Sequence, residues 1–410
     1  MSSLNFLTPE FWNWVNHHLH EDPSRLRLAS HKETGIDIPE AIIQIECRAR
    51  FGKKLAKTLE DFPEFYFPGT LAGEQSTSDA LARFHAGLIK KEDICVDMTA
   101  GLGIDAMHLA KICQSLTAIE RNEKLCDALI YNAQGLKIRN IEVRYGDSTE
   151  LLSELKGTVI FIDPARRDSD GRRVYGLQDC EPNVISIQET FRNNFKRCII
   201  KASPMLDVTQ TINDLQPYVS DIYAIGTTTE CKELVVCLDY TNDPKEETTI
   251  HAVTISASGK INEFSFLRSQ ETNATIKVLK ALPKEGDLLY IPYPATMKAA
   301  PVKLLSEKFD LYKFHANTHL YFSNENAEAL TFPGEILKIV DVIPWQSKNL
   351  KRLKTRYPNL SISVRNFGMT AEALRIKLGV KEGGKDRLRL FGIGLGKDHT
   401  DKVLIVAQPK

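Results

Sequence analysis

The segment Val96-Asp97-Met98-Thr99-Ala100-Gly101-Leu102-Gly103-Ile104-Asp105 concentrates residues able to hold a charged ligand. Gly101 and Gly103 permit a tight turn and a close approach of backbone to a ligand. Asp97 stands before that turn and Asp105 after it. A carboxylate at a strand end suits a cationic or amine-bearing group better than a pyrophosphate. Glu120, Asp147 and Asp163 follow, each after a short stretch that reads as a strand. A lone acid in such a place is an ordinary turn former or helix cap. Four acids at successive strand ends (Asp97, Glu120, Asp147, Asp163) read instead as the ligand-binding edge of a doubly wound sheet. Glu120 lies roughly 20 residues past Gly101, where such a sheet offers an acid to ribose hydroxyls. The glycine pattern is not G-x-G-x-x-G, because the position three after Gly103 is Ala106. No G-x-x-x-x-G-K-[ST] occurs either, which disfavours a P-loop.

Other candidates for chemistry are more ambiguous. Arg166, Arg167, Arg172 and Arg173 crowd one segment beside Asp163. They read as phosphate-positioning residues, or as partners of Asp168, Asp170 and Asp179. Thr228-Thr229-Glu230-Cys231-Lys232-Glu233 could line a substrate mouth or simply form a turn. The cysteines, at 47, 95, 113, 126, 180, 198, 231 and 237, include no C-x-x-C pair. They read as free thiols in a reducing cytoplasm, not as a zinc site. The histidines show no metal spacing, and His315 and His319 read as structural.

The elements that must carry these residues alternate. Ile94–Val96 suits a strand; from Asp105, the spacing of Ala106, Leu109, Ala110 and Cys113 is helical. Leu116–Ile119, Ile141–Arg144, Val159–Ile162, Cys198–Ile200, Ile222–Ile225 and Glu233–Leu238 read as further strands, with a helix over 123–134. Strand and helix in turn predict a parallel α/β sheet. Upstream, Thr8-Pro9-Glu10 and Ile38-Pro39-Glu40 open helices. Another helix runs from Ser76-Thr77-Ser78-Asp79 to about Ile89, directly before the first strand.

These residues resemble motif I of class I S-adenosylmethionine (SAM) dependent methyltransferases, and the resemblance extends to about residue 240. It implies a Rossmann-like seven-stranded methyltransferase sheet whose last strand runs antiparallel. It also implies SAM as cofactor, held by Asp97, Thr99, Ala100, Gly101, Gly103, Asp105, Glu120, Arg121, Asp147 and Ser148. Glu120 would take the ribose hydroxyls, Asp147 with Ser148 the adenine, and Asp97 the amino-acid end. Gln75 and Thr77 precede the first strand, where the family covers the methionine end of SAM; helix capping also accounts for this segment. Asp163-Pro164-Ala165-Arg166 occupies the place of the D/N-P-P-Y/F tetrad of amino-group methyltransferases, making Asp163, Pro164 and Arg166 the implied catalytic residues. Arg166 replaces the aromatic ring that stacks on a base. No cysteine follows Pro164, and Lys201-Ala202-Ser203-Pro204 stands where a pyrimidine C5 methyltransferase needs a cysteine nucleophile.

A chain of 410 residues exceeds one ordinary domain. The expected divisions are an N-terminal helical region (1–72), a methyltransferase domain (73–241), a small α+β domain (246–330) and a basic α+β domain (333–410). No apolar run approaches the ~20 residues of a membrane span. The start, Met1-Ser2-Ser3-Leu4-Asn5, lacks a signal peptide's basic region and apolar core, so a cytoplasmic location is expected. Net charge is zero, yet residues 335–410 hold 16 Lys+Arg against 7 Asp+Glu, which points to a polyanion or to a solvated basic surface. Lys348, Lys351, Arg352 and Arg356 fall at helical spacing; Arg375, Lys377 and Arg387 add charge, and Trp345, Tyr357, Phe367 and Phe391 are interleaved. The run Ala373–Gly384 resembles the THUMP-like domain found behind methyltransferase domains in uncharacterised bacterial proteins, over about 335–407. The stretch 278–322, with Pro294-Ala295-Thr296-Met297-Lys298, is similar to the ferredoxin-like module of the same family. THUMP domains bind structured RNA. The resemblance therefore implies RNA methylation, of transfer or ribosomal RNA, with Arg166, Arg167 and the basic C-terminal residues on phosphate. A methyltransferase of a small molecule or protein, and an inactive RNA-binding protein, are the alternatives. No metal and no membrane partner are expected.

Overall fold

The structure, a computed structural model, describes residues 4–29, 35–166, 176–241, 246–279, 281–324, 331–383, 387–395 and 401–410. The chain forms two compact units: Met1–Ser220 with Val235–Lys245, and Asp221–Leu234 with Glu246–Lys410.

The first unit opens with α1 (Pro9–His17), α2 (Pro23–Leu28), α3 (Ile38–Phe51), α4 (Ala56–Asp61), α5 (Thr70–Gln75) and α6 (Asp79–Ala86). Local chemistry starts them. The Thr8 hydroxyl accepts from Phe11 N at 3.3 Å, with Pro9 at the first helical position, and Asp37 accepts from Glu40 N at 3.1 Å. Such caps satisfy amides that have no partner inside the helix. α6 ends at Ala86, short of the expected Ile89. Beyond it Lys90 N donates to Asp93 Oδ2 at 2.7 Å and turns the chain into the sheet.

That sheet region comprises β1 (Ile94–Asp97), α7 (Ile104–Ala110), β2 (Ser115–Glu120), α8 (Glu123–Gly135), β3 (Ile141–Tyr145), α9 (Ser148–Leu151) and β4 (Val159–Ile162). Then come β5 (Ala165–Arg166), β6 (Cys180–Glu181), α10 (Val184–Asn194), β7 (Arg197–Ala202), α11 (Val208–Leu215), β8 (Val219–Gly226) and β9 (Cys231–Asp239). In the first unit the order is β9-β7-β4-β1-β2-β3. The pairs β7–β4, β4–β1, β1–β2 and β2–β3 are all parallel. Val159-Ile160-Phe161-Ile162 is buried at every position, as a strand covered on both faces requires. β5 and β6 form a separate antiparallel ladder, too short to carry a sequence pattern. The chain passes from β1 to β2 on one side and reaches β4 on the other. That reversal opens a crevice beyond the carboxyl ends of β1 and β4.

In the second unit, β10 (Thr249–Ile255) and β11 (Ile261–Leu267) form an antiparallel hairpin, and β10 pairs in parallel with β8. The elements that follow are α12 (Arg268–Asn273), β12 (Lys277–Val278), β13 (Leu288–Pro292), α13 (Pro294–Ala299), α14 (Val302–Lys308), β14 (Tyr312–Lys313) and β15 (Tyr321–Ser323). The chain closes with β16 (Gly334–Pro344), α15 (Ser347–Arg356), β17 (Ser361–Arg365), α16 (Ala371–Leu378), β18 (Arg389–Leu395) and β19 (Asp401–Pro409). Eight of these strands make one sheet, β12-β14-β15-β13-β16-β19-β18-β17. β19 serves two cores by alternation: Val403, Ile405 and Ala407 pack with Leu289 and Phe322, while Leu404 and Val406 pack with Leu353 and Leu374 of α15 and α16. The period of two is that of a strand buried on both faces. Among the described residues, no helix is long and apolar enough to cross a membrane.

Candidate functional site

The turn after β1 is built by its glycines. Gly101 and Gly103 have φ of 55° and 83°, the left-handed region that side chains disfavour. A Cβ on Gly103 would lie 2.1 Å from Leu129 Cδ1 on α8, so glycine also lets the turn pack against that helix. Ala100 N donates to Ile119 O at 3.0 Å, and Gly103 N to Ala100 O at 2.8 Å. Glu120 clamps the turn from the neighbouring strand end: Oε2 accepts from Gly101 N and Oε1 from Asn122 N, both at 2.8 Å. Thr99 joins the two central strands, its hydroxyl accepting from Asp163 N at 2.8 Å.

Around this turn the structure gathers a charged cluster. Asp97 is 1% exposed, and its Oδ1 accepts from Thr99 N at 3.0 Å. Burial pushes its carboxyl up to about 8; the Thr99 amide opposes that shift, and the charges of Asp105 and Asp163 add to it. Asp105 is also buried. Burial alone would raise its pKa, but the His85 ring and the Lys201 ammonium hold it well below the usual carboxylate range. His85 Nδ1 lies 2.8 Å from Asp105 Oδ1, and the Thr77 hydroxyl donates to Asp105 Oδ2. Lys201 Nζ donates to Thr77 Oγ1 at 2.8 Å and to Asp163 Oδ2 at 2.6 Å, and sits 3.7 Å from Asp105 Oδ2. Three carboxyls from β1, α7 and the end of β4 thus meet one lysine from β7 and one histidine from α6.

The sequence-predicted residues divide. Asp97, Thr99, Asp105, Asp163 and Thr77 come together; Gly101 and Glu120 form the adjoining turn. Ala100 and Pro164 are buried beside them in the chain. Asp147 caps α9, accepting from Thr149 N at 2.8 Å, with Ser148 buried next to it. Arg121 points to Glu181, 3.2 Å away, and is exposed. Gln75 ends α5, exposed, two residues from Thr77. Arg166 pairs through its backbone with Cys180; Arg167, Arg172 and Arg173 lie outside the described residues. Sequence reasoning gave no role to His85 or Lys201. Lys201 had a signal, since it ends the apolar run Cys198-Ile199-Ile200 as the acids end theirs. His85 had none, because only tertiary contact brings it to Asp105. Among the described residues, no group of His, Cys, Asp and Glu is arranged to hold a metal.

The basic C-terminal segment also sorts itself. Lys348, Lys351 and Arg352 are exposed on α15. Arg356 lies 2.7 Å from Asp341 and Arg375 2.5 Å from Glu372. Lys377 covers the Trp345 ring at 5.0 Å, and Arg387 is exposed. Tyr357, Phe367 and Phe391 are buried. They pack the cores of this sheet, so the interleaved aromatics are not a stacking surface.

Residues 334–409 match the family described as THUMP domain-like, and residues 288–333 a ferredoxin-like domain family. A crystal structure of a provisionally assigned methyltransferase from Porphyromonas gingivalis W83 is 28% identical with a TM-score of 0.87, covering 100% of this chain and 99% of that one. A ribosomal RNA small subunit methyltransferase J of Brucella anthropi is 40% identical over 81 residues, 17% of this chain and 38% of that protein. A probable cobalt-precorrin-6B C(15)-methyltransferase of Methanococcus vannielii is 30% identical over 71 residues, 17% of this chain and 39% of that protein. The chain thus spans about two fifths of the length of these curated relatives. With its glycine turn between parallel strands and its likeness along the whole of the P. gingivalis structure, the chain has the fold of a class I methyltransferase, and it carries a THUMP-like domain at its C-terminus.

Proposed function

We propose that this protein is a SAM-dependent methyltransferase that modifies a nucleotide of structured RNA, transfer or ribosomal. The observation that carries the reading is the crevice at β1 and β4, where a buried carboxyl, a glycine cradle and a strand-end Glu120 adjoin. These residues fit the ligand: Asp97 its cationic amino-acid end, Gly101 and Gly103 the chain between, and Glu120 the ribose hydroxyls. Asp147 and Ser148 stand at the next strand end for the adenine. SAM, when bound, supplies a methyl group on a sulfonium, so transfer needs mainly alignment of an electron-rich acceptor with that carbon. Asp163 faces the acceptor and orients it.

RNA as acceptor is supported by the THUMP-like domain and by the exposed Lys348, Lys351, Arg352 and Arg387 on it. The two curated relatives act, by name, on ribosomal RNA and on a cobalt-precorrin, so the short segments they share with this chain leave the acceptor open. Mass spectrometry of nucleosides from a strain lacking the gene tests it. Loss of one methylated nucleoside supports RNA; an unchanged nucleoside profile rejects it and favours a small-molecule or protein acceptor. Calorimetry with SAM tests the cofactor separately, and absence of binding would leave only an RNA-binding role.

A further inference from the structure

Asp163 does not stand alone at the end of β4. Its Oδ2 accepts from Lys201 Nζ at 2.6 Å, and the same ammonium donates to Thr77 Oγ1 at 2.8 Å. The Thr77 hydroxyl in turn donates to Asp105, which His85 holds from the other side at 2.8 Å. The Lys201 side chain is 13% exposed, against 42% for Asp163. Thus the lysine sits inside the cluster and the carboxylate at its mouth. Lys201 touches that carboxylate, whose charge also acts on Asp97, and Lys201 and His85 both act on Asp105. Lys201 brings a positive charge into direct contact with Asp163.

We infer that Lys201 is a positioning residue for the methyl acceptor, fixing the Asp163 carboxylate and tying it to the Thr77–Asp105 pair on the cofactor side. The inference rests on the methyltransferase reading above and says what class of acceptor the site takes. A carboxylate in contact with an ammonium is a good hydrogen-bond acceptor and a poor base. It suits an acceptor that donates a hydrogen bond and brings its own lone pair: an exocyclic amine of a nucleobase. It does not suit a sugar hydroxyl or an unactivated carbon, which must be deprotonated or attacked first. In the step, the nitrogen lone pair forms the new N–C bond as the C–S bond breaks with its electrons to sulfur. The nitrogen, now positive, then gives its proton to water.

The experiment compares the wild-type protein, Lys201→Met and Lys201→Arg. Two quantities are read: SAM affinity by calorimetry, and single-turnover transfer of tritiated methyl to total RNA from a strain lacking the gene, from pH 5.5 to 9. For Lys201→Met, SAM affinity is expected to stay within ~3-fold and the transfer rate to fall by ~100-fold, the scale of a misplaced reacting group. The acidic limb of its rate profile should move to higher pH, because the Asp163 carboxylate loses the ammonium beside it. Lys201→Arg should restore the limb and most of the rate. A Lys201→Met protein with the wild-type rate and limb overturns the inference. So does one whose rate falls only in step with SAM binding or folded fraction. A methyl group found on ribose oxygen, base carbon or ring nitrogen overturns the acceptor class. Wild-type protein that binds SAM but labels no RNA overturns the RNA reading and this inference with it, a result visible before any variant is made.

Discussion

A carboxyl group as buried as that of Asp97 prefers to keep its proton until a cation arrives, and this has a consequence for stability. In the unfolded chain the group ionises near pH 4. In the folded protein burial, with Asp105 and Asp163 nearby, holds the proton up to about pH 8. Between those values the native state binds more protons than the unfolded one, so stability falls as pH rises. Asp97→Asn removes the term: its Tm should exceed the wild-type value at pH 8 and match it at pH 4, while SAM binding weakens. Parallel melting curves across pH for the two proteins, differing by no more than a constant, would reject this account. Glu120 has two duties, since the oxygens offered to a ribose also hold Gly101 N and Asn122 N. Glu120→Ala should therefore weaken SAM binding by about 10–100-fold, the scale of lost charged hydrogen bonds, as read by calorimetry; unaltered affinity would remove Glu120 from the ligand site. Both acids were legible because each ends an apolar strand. Lys201 follows an apolar run as well, but a lone lysine there has too many ordinary explanations to stand out. His85 meets Asp105 only in the fold, so no spacing announces it.

At the scale of elements, the hairpin of β10 and β11 is held to β8 by one buried histidine as well as by its ladders. His251 Nδ1 lies 2.8 Å from Glu263 Oε1 and its Nε2 3.1 Å from Asp221 Oδ1, while its ring stacks on Tyr223 at 4.1 Å. Burial lowers the pKa of the ring, but the hydrogen bonds to Asp221 and Glu263 outweigh it and raise the value overall. A histidine raised in this way adds stability that is complete below its unfolded pKa and is lost as pH rises through the folded one. Hydrogen exchange over 249–267, corrected for intrinsic rates, should show protection falling from pH 6 to 9 in the wild type. The His251→Gln protein should show no such fall; an equal fall in both would place the tie elsewhere. The elements themselves were largely readable. Apolar runs located β1, β2, β4 and β7 because a parallel sheet is buried on both faces, and Thr8 with Pro9, and Pro39, located helix starts. What escaped is what pattern cannot encode. β5 and β6 are two residues each, α6 stops early at a Gly87 C-cap, and Tyr357, Phe367 and Phe391 look alike in sequence whether they stack on a base or fill a core.

Over the whole molecule the charge is balanced and unevenly placed, with an excess of nine basic residues in 335–410 offset by an equal acidic excess before it. Part of that basic excess is spent within the protein: Arg356 on Asp341, Arg375 on Glu372, and Arg389 on Glu335. Substituting those residues would mix a loss of internal contacts with any loss of RNA binding. Lys348, Lys351 and Arg352 are the better probes, being exposed on the outer side of α15 while Leu353 faces the core. If RNA binds here, it binds through phosphate, because the aromatic side chains of the segment are mostly consumed in packing. Each phosphate contact adds roughly 0.7–0.9 to the slope of log affinity against log salt. The triple substitution of Lys348, Lys351 and Arg352 by Glu should then lower affinity for structured RNA at low salt and reduce that slope by about 2. It should leave SAM affinity and Tm close to wild type, since none of the three side chains is buried. Filter binding of transfer RNA from 50 to 300 mM salt reads the slope directly (the concentrations are chosen to span the range where counterion release dominates). An unchanged slope would mean that the basic excess is a solvated surface and that the acceptor reaches the Asp163 carboxylate without it.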